Sequence, residues 1–256
     1  VSQRLATADR DRVVRFKAPR TTPVERWYAV QLRKVARQID ELVNGQVKPE
    51  EPPSSYVPGI VQSLLAYAPA LTGWAAGVAD RMIRDVDRID RREWYARGKE
   101  ISRLLEAEIQ GAPTGATYRK LQAEQVALIT SLPTKAAERV NKMAIEGVIK
   151  GQRADQIAAT LMETGEVTKS RANLIARTEV ARAQANLTQA RAEYAGATQY
   201  IWHTVGDSDV RHDHKILNGK VFAYATPPVA DIAAGIHANP GTIWNCRCWA
   251  EPIIPM

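Results

Sequence analysis

A chain of 256 residues with 45 % apolar content can bury roughly three-quarters of its unfolded surface, which excludes an intrinsically disordered protein. Two cysteines exclude a disulfide framework, and no apolar run reaches the ~18–20 residues that a membrane-spanning helix needs. The formal charge of +7 favours contact with nucleic acid or another polyanion without choosing between them.

Residues 1–20 read as a basic N-terminal arm. Val1-Ser2-Gln3-Arg4-Leu5 is not a secretory signal, and an opening Val places the true start upstream or trimmed. Arg10, Arg12, Arg15, Lys17 and Arg20 outweigh Asp9 and Asp11 and follow no period. They are candidates to lie along DNA phosphates; the plainer reading is a solvated tail.

Residues 21–165 read as a helical region. Thr22-Pro23-Val24-Glu25 places a capping hydroxyl, a proline in the first turn and an acidic residue near the helix start. Tyr28, Leu32, Val35, Ile39 and Leu42 then repeat as one apolar stripe up to the stop at Asn44-Gly45. A proline-rich linker follows over 48–53. The helical pattern over 57–109 is interrupted at Pro69. Thr72 can cap the second stretch, with Trp74, Val78, Met82, Val86 and Ile89 inward and a dense charged side, Asp90 included, reading as a solvated, salt-bridged face. Tyr118 to Leu132 marks another helix. Pro133 is expected to open a separate one, with Val140, Met143, Ala144 and Val148 inward. A shorter helix covers 155–163.

Residues 166–256 read as a compact C-terminal domain. A helix over about 168–194 carries Arg177-Thr178-Glu179 and Arg182, with Glu179 and Arg182 spaced to pair on one face. Small residues such as Ala172, Ala176, Ala183 and Ala190 would let another element approach it closely. After Gly196 the period changes to that of a strand, over 199–205. One or two helical turns over 210–217, a turn at Asn218-Gly219, a second strand over 220–224 and a long Pro/Ala/Gly loop follow. A last strand is expected over 243–249, ended by Pro252 and Pro255. The fold class is therefore mainly α with a small α+β C-terminal domain: a helical N-terminal part, then a helix packed on a short-stranded sheet.

All four histidines and both cysteines lie in the last fifty-five residues. In a strand Cys246 and Cys248 would share a face. With His214 they suit zinc, which is held by Cys and His ligands in a tetrahedron. His212, His203, His237, Asp207 or Asp209 could supply a fourth ligand. The alternatives are that both cysteines are small buried apolar residues while His214 bonds to backbone, or that a cysteine is a nucleophile with His214 as its base and Asp207 or Asp209 as the orienting acid. Neither the metal nor the enzyme pattern has diagnostic spacing.

Arg177-Thr178-Glu179 with Arg182, then Trp202, then Asp207 with Val210-Arg211 and His214, then Leu217 and Gly219, and finally Asn245-Cys246-Arg247-Cys248 after a proline/glycine loop resemble, in order and spacing, the Mu F-like phage head morphogenesis domain of minor head proteins. The resemblance covers about residues 170–254; His212 and Trp249 are not part of it. It implies a minor head (capsid) protein of a tailed phage or prophage, made in the bacterial cytoplasm and held in the virion near the portal vertex. Such a protein would act in head assembly and in DNA packaging or ejection. Implied partners are the portal protein, a major capsid or scaffold protein, and double-stranded DNA bound without sequence preference. The family brings no established reaction and so no catalytic residues. A structural zinc ion on His214, Cys246 and Cys248 is the one cofactor expected. The reading from another class is a zinc- or thiol-dependent hydrolase, a nuclease or peptidase acting during DNA entry or head maturation.

Overall fold

The computed structural model describes residues 16–96 and 113–254; Arg10, Arg12 and Arg15 of the basic arm lie outside them. In chain order the elements are α1 (Thr22–Asn44), α2 (Pro53–Ala70), α3 (Thr72–Tyr95), α4 (Pro113–Ile149), α5 (Ala154–Met162), α6 (Thr164–Tyr194), β1 (Gln199–His203), α7 (His212–Leu217), β2 (Val221–Ala223), β3 (Val229–Asp231), β4 (Ile236–His237) and β5 (Trp249–Ile253). This is the mainly helical chain with a short-stranded C-terminal part that the periodicity implies. By its contacts it divides into two units: one of Arg26–Arg81 and Gln122–Ala176, the other of the residues up to Glu25, Met82–Leu121 and Arg177 onward.

The first of these is all helix. Tyr28, Leu32, Val35 and Ile39 of α1 are buried, as are Ile60 and Leu64 of α2, Ile129 and Val140 of α4, Leu161 of α5 and Ile175 of α6. Each such side chain stabilises the fold by roughly 1.5–3 kcal/mol relative to exposure. The Tyr28 hydroxyl donates to Gln125 Oε1 at 2.9 Å, which satisfies two polar groups inside this core. Gly165 of α6 lies against the side chain of Asp40, where an added Cβ would collide.

The break expected at Pro133 does not occur. α4 runs unbroken for 37 residues with Pro133 inside it. Proline has no N–H for the carbonyl four residues back. The Thr130 hydroxyl donates to the Val126 carbonyl at 3.0 Å, and the Ser131 hydroxyl to the Leu128 carbonyl at 2.7 Å. These hydroxyls bond within the turn before the proline, and the carbonyl that loses its donor, that of Ile129, is not among their acceptors. Because α4 does not restart, its phase carries through, and Ala144 and Gly147 face inward. Val148, expected inside, is 61 % exposed. Trp74, also expected inside, is 37 % exposed.

The second unit packs the later part of α6 and the end of α3 with the strands. The main sheet has the order β2-β1-β5, antiparallel throughout, and β3 pairs with β4 in a small second sheet. Tyr200 stands opposite Phe222 and Pro252, and Trp202 opposite Ala250. Alternation along β1 buries Tyr200 and Trp202. They share one core with Phe16, Trp94, Tyr224, Cys246, Cys248 and Ile254. Phe16 meets Trp94 edge-on with ring centroids 4.8 Å apart, a geometry favoured by the ring quadrupoles.

Two expectations fail here. The last strand is β5, not 243–249: residues 243–245 form a bend and turn, 246–248 belong to no regular element, and Pro252 lies inside the strand rather than ending it. An edge strand tolerates a residue without an N–H on its outer side. Asp90, expected on a solvated face, is 2 % exposed. Arg191 of α6 pairs with both Asp90 and Asp87. Gln184 Nε2 and the Thr188 hydroxyl donate to Asp90 Oδ1 at 2.5 and 2.6 Å. Burial pushes the Asp90 carboxyl above its ordinary value, and Arg191 and Thr188 pull it back.

Candidate functional site

α7 is a six-residue helix that carries His214 inward. Trp202 of β1 packs edge-on against the imidazole, ring centroids 5.3 Å apart. The second wall of the site is the turn before β5. Asn245 has φ 56, the left-handed region that asparagine tolerates better than most residues. This reversal lets Cys246 and Cys248 converge on one point although neither is in a strand. Their sulfurs lie 3.7 and 3.3 Å from His214 Nδ1. All three residues are buried and both thiols are free. The imidazole faces the sulfurs, so it does not make the backbone bond of the plainer reading. Its Nε2 has no hydrogen-bond partner among the described residues.

Electrostatics separates the two thiols. The bond between the sulfurs holds Cys246 well below the usual thiol range, against burial and with help from His214. That same bond, and then burial, pushes Cys248 up. The two thiols are therefore shifted in opposite directions, as expected for an interacting pair. The Gly241 N–H donates to Cys246 Sγ at 3.4 Å. Gly241 has φ +84, and a Cβ there would lie 3.0 Å from the Cys248 carbonyl and 3.2 Å from the Ala185 methyl. Glycine is needed on both counts. Of the small residues of α6 noted in the sequence, Ala172, Ala176 and Ala183 are fully buried, and Ala181 and Ala185 also admit Gly241 closely.

The other residues singled out in the sequence surround this cluster. The Thr178 hydroxyl accepts from the Asn245 backbone N–H at 3.0 Å, and Arg177 donates to Asn245 Oδ1 at 3.3 Å and to Glu25 at 3.4 Å. Glu179, 2 % exposed, pairs with Arg182 at 3.7 Å. Arg211 donates to the Trp244 carbonyl at 2.9 Å, tying the start of α7 to the cysteine turn. Gly219, at φ +74, returns its N–H to the Trp202 carbonyl at 2.8 Å. Asp207 accepts both arms of Arg247 at 2.5 and 2.9 Å. The role of Arg247 had no signal in the sequence beyond its place between the cysteines.

None of the candidates for a fourth ligand joins the cluster. Asp207 and Asp209 pair with Arg247. His203 pairs with Glu251 at 2.6 Å and stacks on Trp249. His237 Nδ1 meets the Pro227 carbonyl at 2.9 Å. Among the described residues the ligand-bearing group consists of His214, Cys246 and Cys248 alone. A Cys–His–Asp arrangement is likewise incomplete, since neither acid reaches His214. A cavity of about 150 Å³ adjoins the cluster through Cys248 and is walled by Arg177, Gln184, Thr188 and Arg247, with Lys17 of the basic arm on its rim.

Residues 138–251 match the family described as phage Mu protein F like protein. Over this stretch the chain is similar to that family. The matched region contains every motif residue named above and the whole His214–Cys246–Cys248 cluster. A protein of Haemophilus influenzae (strain ATCC 51907 / DSM 11121 / KW20 / Rd), described as uncharacterized, is 34 % identical over 134 residues, 52 % of this chain. The match spans 29 % of that relative's length. No solved structure matches. Among the described residues no helix is long and apolar enough to cross a membrane.

Proposed function

We propose that this is a minor head protein that acts near the portal vertex in head assembly and in DNA packaging or ejection. The observation that carries the reading is the Mu F-like match over 138–251. The fold supports it. The motif residues are spent on holding α6, α7 and the cysteine turn together, which suits a binding and assembly module. The hydrolase reading finds a thiol and an imidazole, both buried, without an orienting acid among the described residues.

DNA contact rests on the charge of +7 and on the arm, of which Lys17 and Arg20 are exposed. Binding through phosphates releases counterions and is therefore steeply salt-dependent and indifferent to sequence. Two measurements test the proposal. Quantitative mass spectrometry of purified DNA-filled and emptied particles should find a few copies per head; absence from both refutes the head reading. Titration of duplex DNA should show affinity falling steeply between low and moderate salt; a flat response refutes the DNA contact.

A further inference from the structure

We propose that His214, Cys246 and Cys248 form a zinc centre, with His214 Nδ1 and the two sulfurs as protein ligands and a water as the fourth. The inference stands on the cluster alone and does not depend on the head assembly reading.

The spacing of the donors matches the ion. Zinc–sulfur bonds of ~2.3 Å and zinc–nitrogen bonds of ~2.05 Å at a tetrahedral angle put nitrogen and sulfur about 3.6 Å apart. The observed separations, 3.3 and 3.7 Å, bracket that value. All three donor atoms lie within 4.8 Å of one another. The donor types also agree: two soft thiolates and an imidazole select zinc over magnesium or calcium, which require oxygen.

Charge favours it too. Two thiolates, a neutral imidazole and a divalent ion sum to zero, so the centre can be buried without an unpaired charge. The surroundings are arranged for thiolates. The Gly241 N–H points at Cys246 Sγ. Such donors around the ligands set their orientation and basicity. A disulfide is the poorer use of this pair, because a bridge between i and i+2 reaches the required torsion only with strain.

Among the described residues no fourth protein ligand reaches the cluster, and the proposed centre takes a water in the last position. The ion would join α7 to the turn before β5, pieces of chain about thirty residues apart. A bond of this kind does in a reducing compartment what a disulfide does outside one.

The test uses the full chain. Purified under reducing conditions, it should carry one zinc per chain by elemental analysis. After chelation it should take up one cobalt(II), with a sulfur-to-cobalt charge-transfer band and the intense visible bands of a tetrahedral site, both abolished by added zinc. Reduced, folded protein that holds no metal and shows no such band overturns the proposal. So does an unchanged spectrum in the Cys246→Ser/Cys248→Ser double variant. Since that variant can fail to fold, His214→Cys is the second probe. It should keep one cobalt and strengthen the charge-transfer band by about half, from two thiolates to three; a folded variant with the wild-type spectrum removes His214 from the site and refutes the proposal.

Discussion

Replacing Asp90 with asparagine keeps the shape of a buried network and removes one charge. Asp90 is 2 % and Arg191 3 % exposed. Breaking a buried ion pair from one side costs about 3–5 kcal/mol, because the surviving charge is left uncompensated. Arg191 retains Asp87, whose side chain is 20 % exposed, so the lower end applies: about 3 kcal/mol for Asp90→Asn. Arg191→Met leaves the carboxylate instead, and a carboxylate can escape by taking up a proton. Burial already raises the Asp90 carboxyl, and Arg191 is the largest influence opposing that rise. An acid whose folded-state pKa is raised contributes stability that is full below its unfolded pKa and is lost as pH rises through the folded one. Removing Arg191 enlarges the rise, so Arg191→Met should be mildly destabilised near pH ~4 and increasingly so towards pH ~7. The double variant should cost less than the sum of the singles. Urea unfolding followed by tryptophan fluorescence, with m-values compared, measures all three. Single variants within about 1 kcal/mol of the wild type, or strict additivity, would refute the view that these groups form one buried unit.

Gly165→Ala places a methyl group against the Asp40 side chain; thermal unfolding should report a loss of about 1–3 kcal/mol, the usual cost of overpacking. Gly241→Ala meets both a left-handed backbone and the Cys248 carbonyl, so a loss of at least about 1 kcal/mol is expected, together with faster reaction of the cysteines with a thiol reagent. Arg247→Ala removes a bidentate pair whose partners are 34 % and 41 % exposed. Solvent screens that pair, so its loss should cost no more than about 1 kcal/mol in denaturant unfolding.

The helices were legible wherever one face repeats cleanly. Tyr28 to Ile39 is a stripe in the sequence and a buried stripe in α1. Pro133 misled because the rule for proline is local, whereas α4 continues through it as one helix of 37 residues. Asp90 misled for a different reason. Its run of mixed charges looks solvated at helical spacing, and its partner Arg191 is a hundred residues away. The metal-type residues were legible as a set, since His214, Cys246 and Cys248 carry the only chemistry the sequence concentrates. The way they converge was not: a strand was the expected device, and a left-handed turn at Asn245 does the work instead. The pairing of Asp207 with Arg247 was invisible for the same reason as Arg191, because nothing in one chain's sequence marks which distant charge meets which.

The backbone N–H of Phe16 donates to Glu251 at 3.1 Å across 235 positions of sequence. The Glu251 carboxylate also receives His203, and Phe16 and Ile254 share one core. During synthesis, therefore, Phe16 can meet Trp94 early but waits for β5 before its backbone is bonded. Helices such as α1 and α2 can form from local contacts while translation continues. Contacts of such long sequence separation slow folding. A ribosome stalled before β5 would hold a chain in which β1 has β2 as its partner and leaves its other edge open.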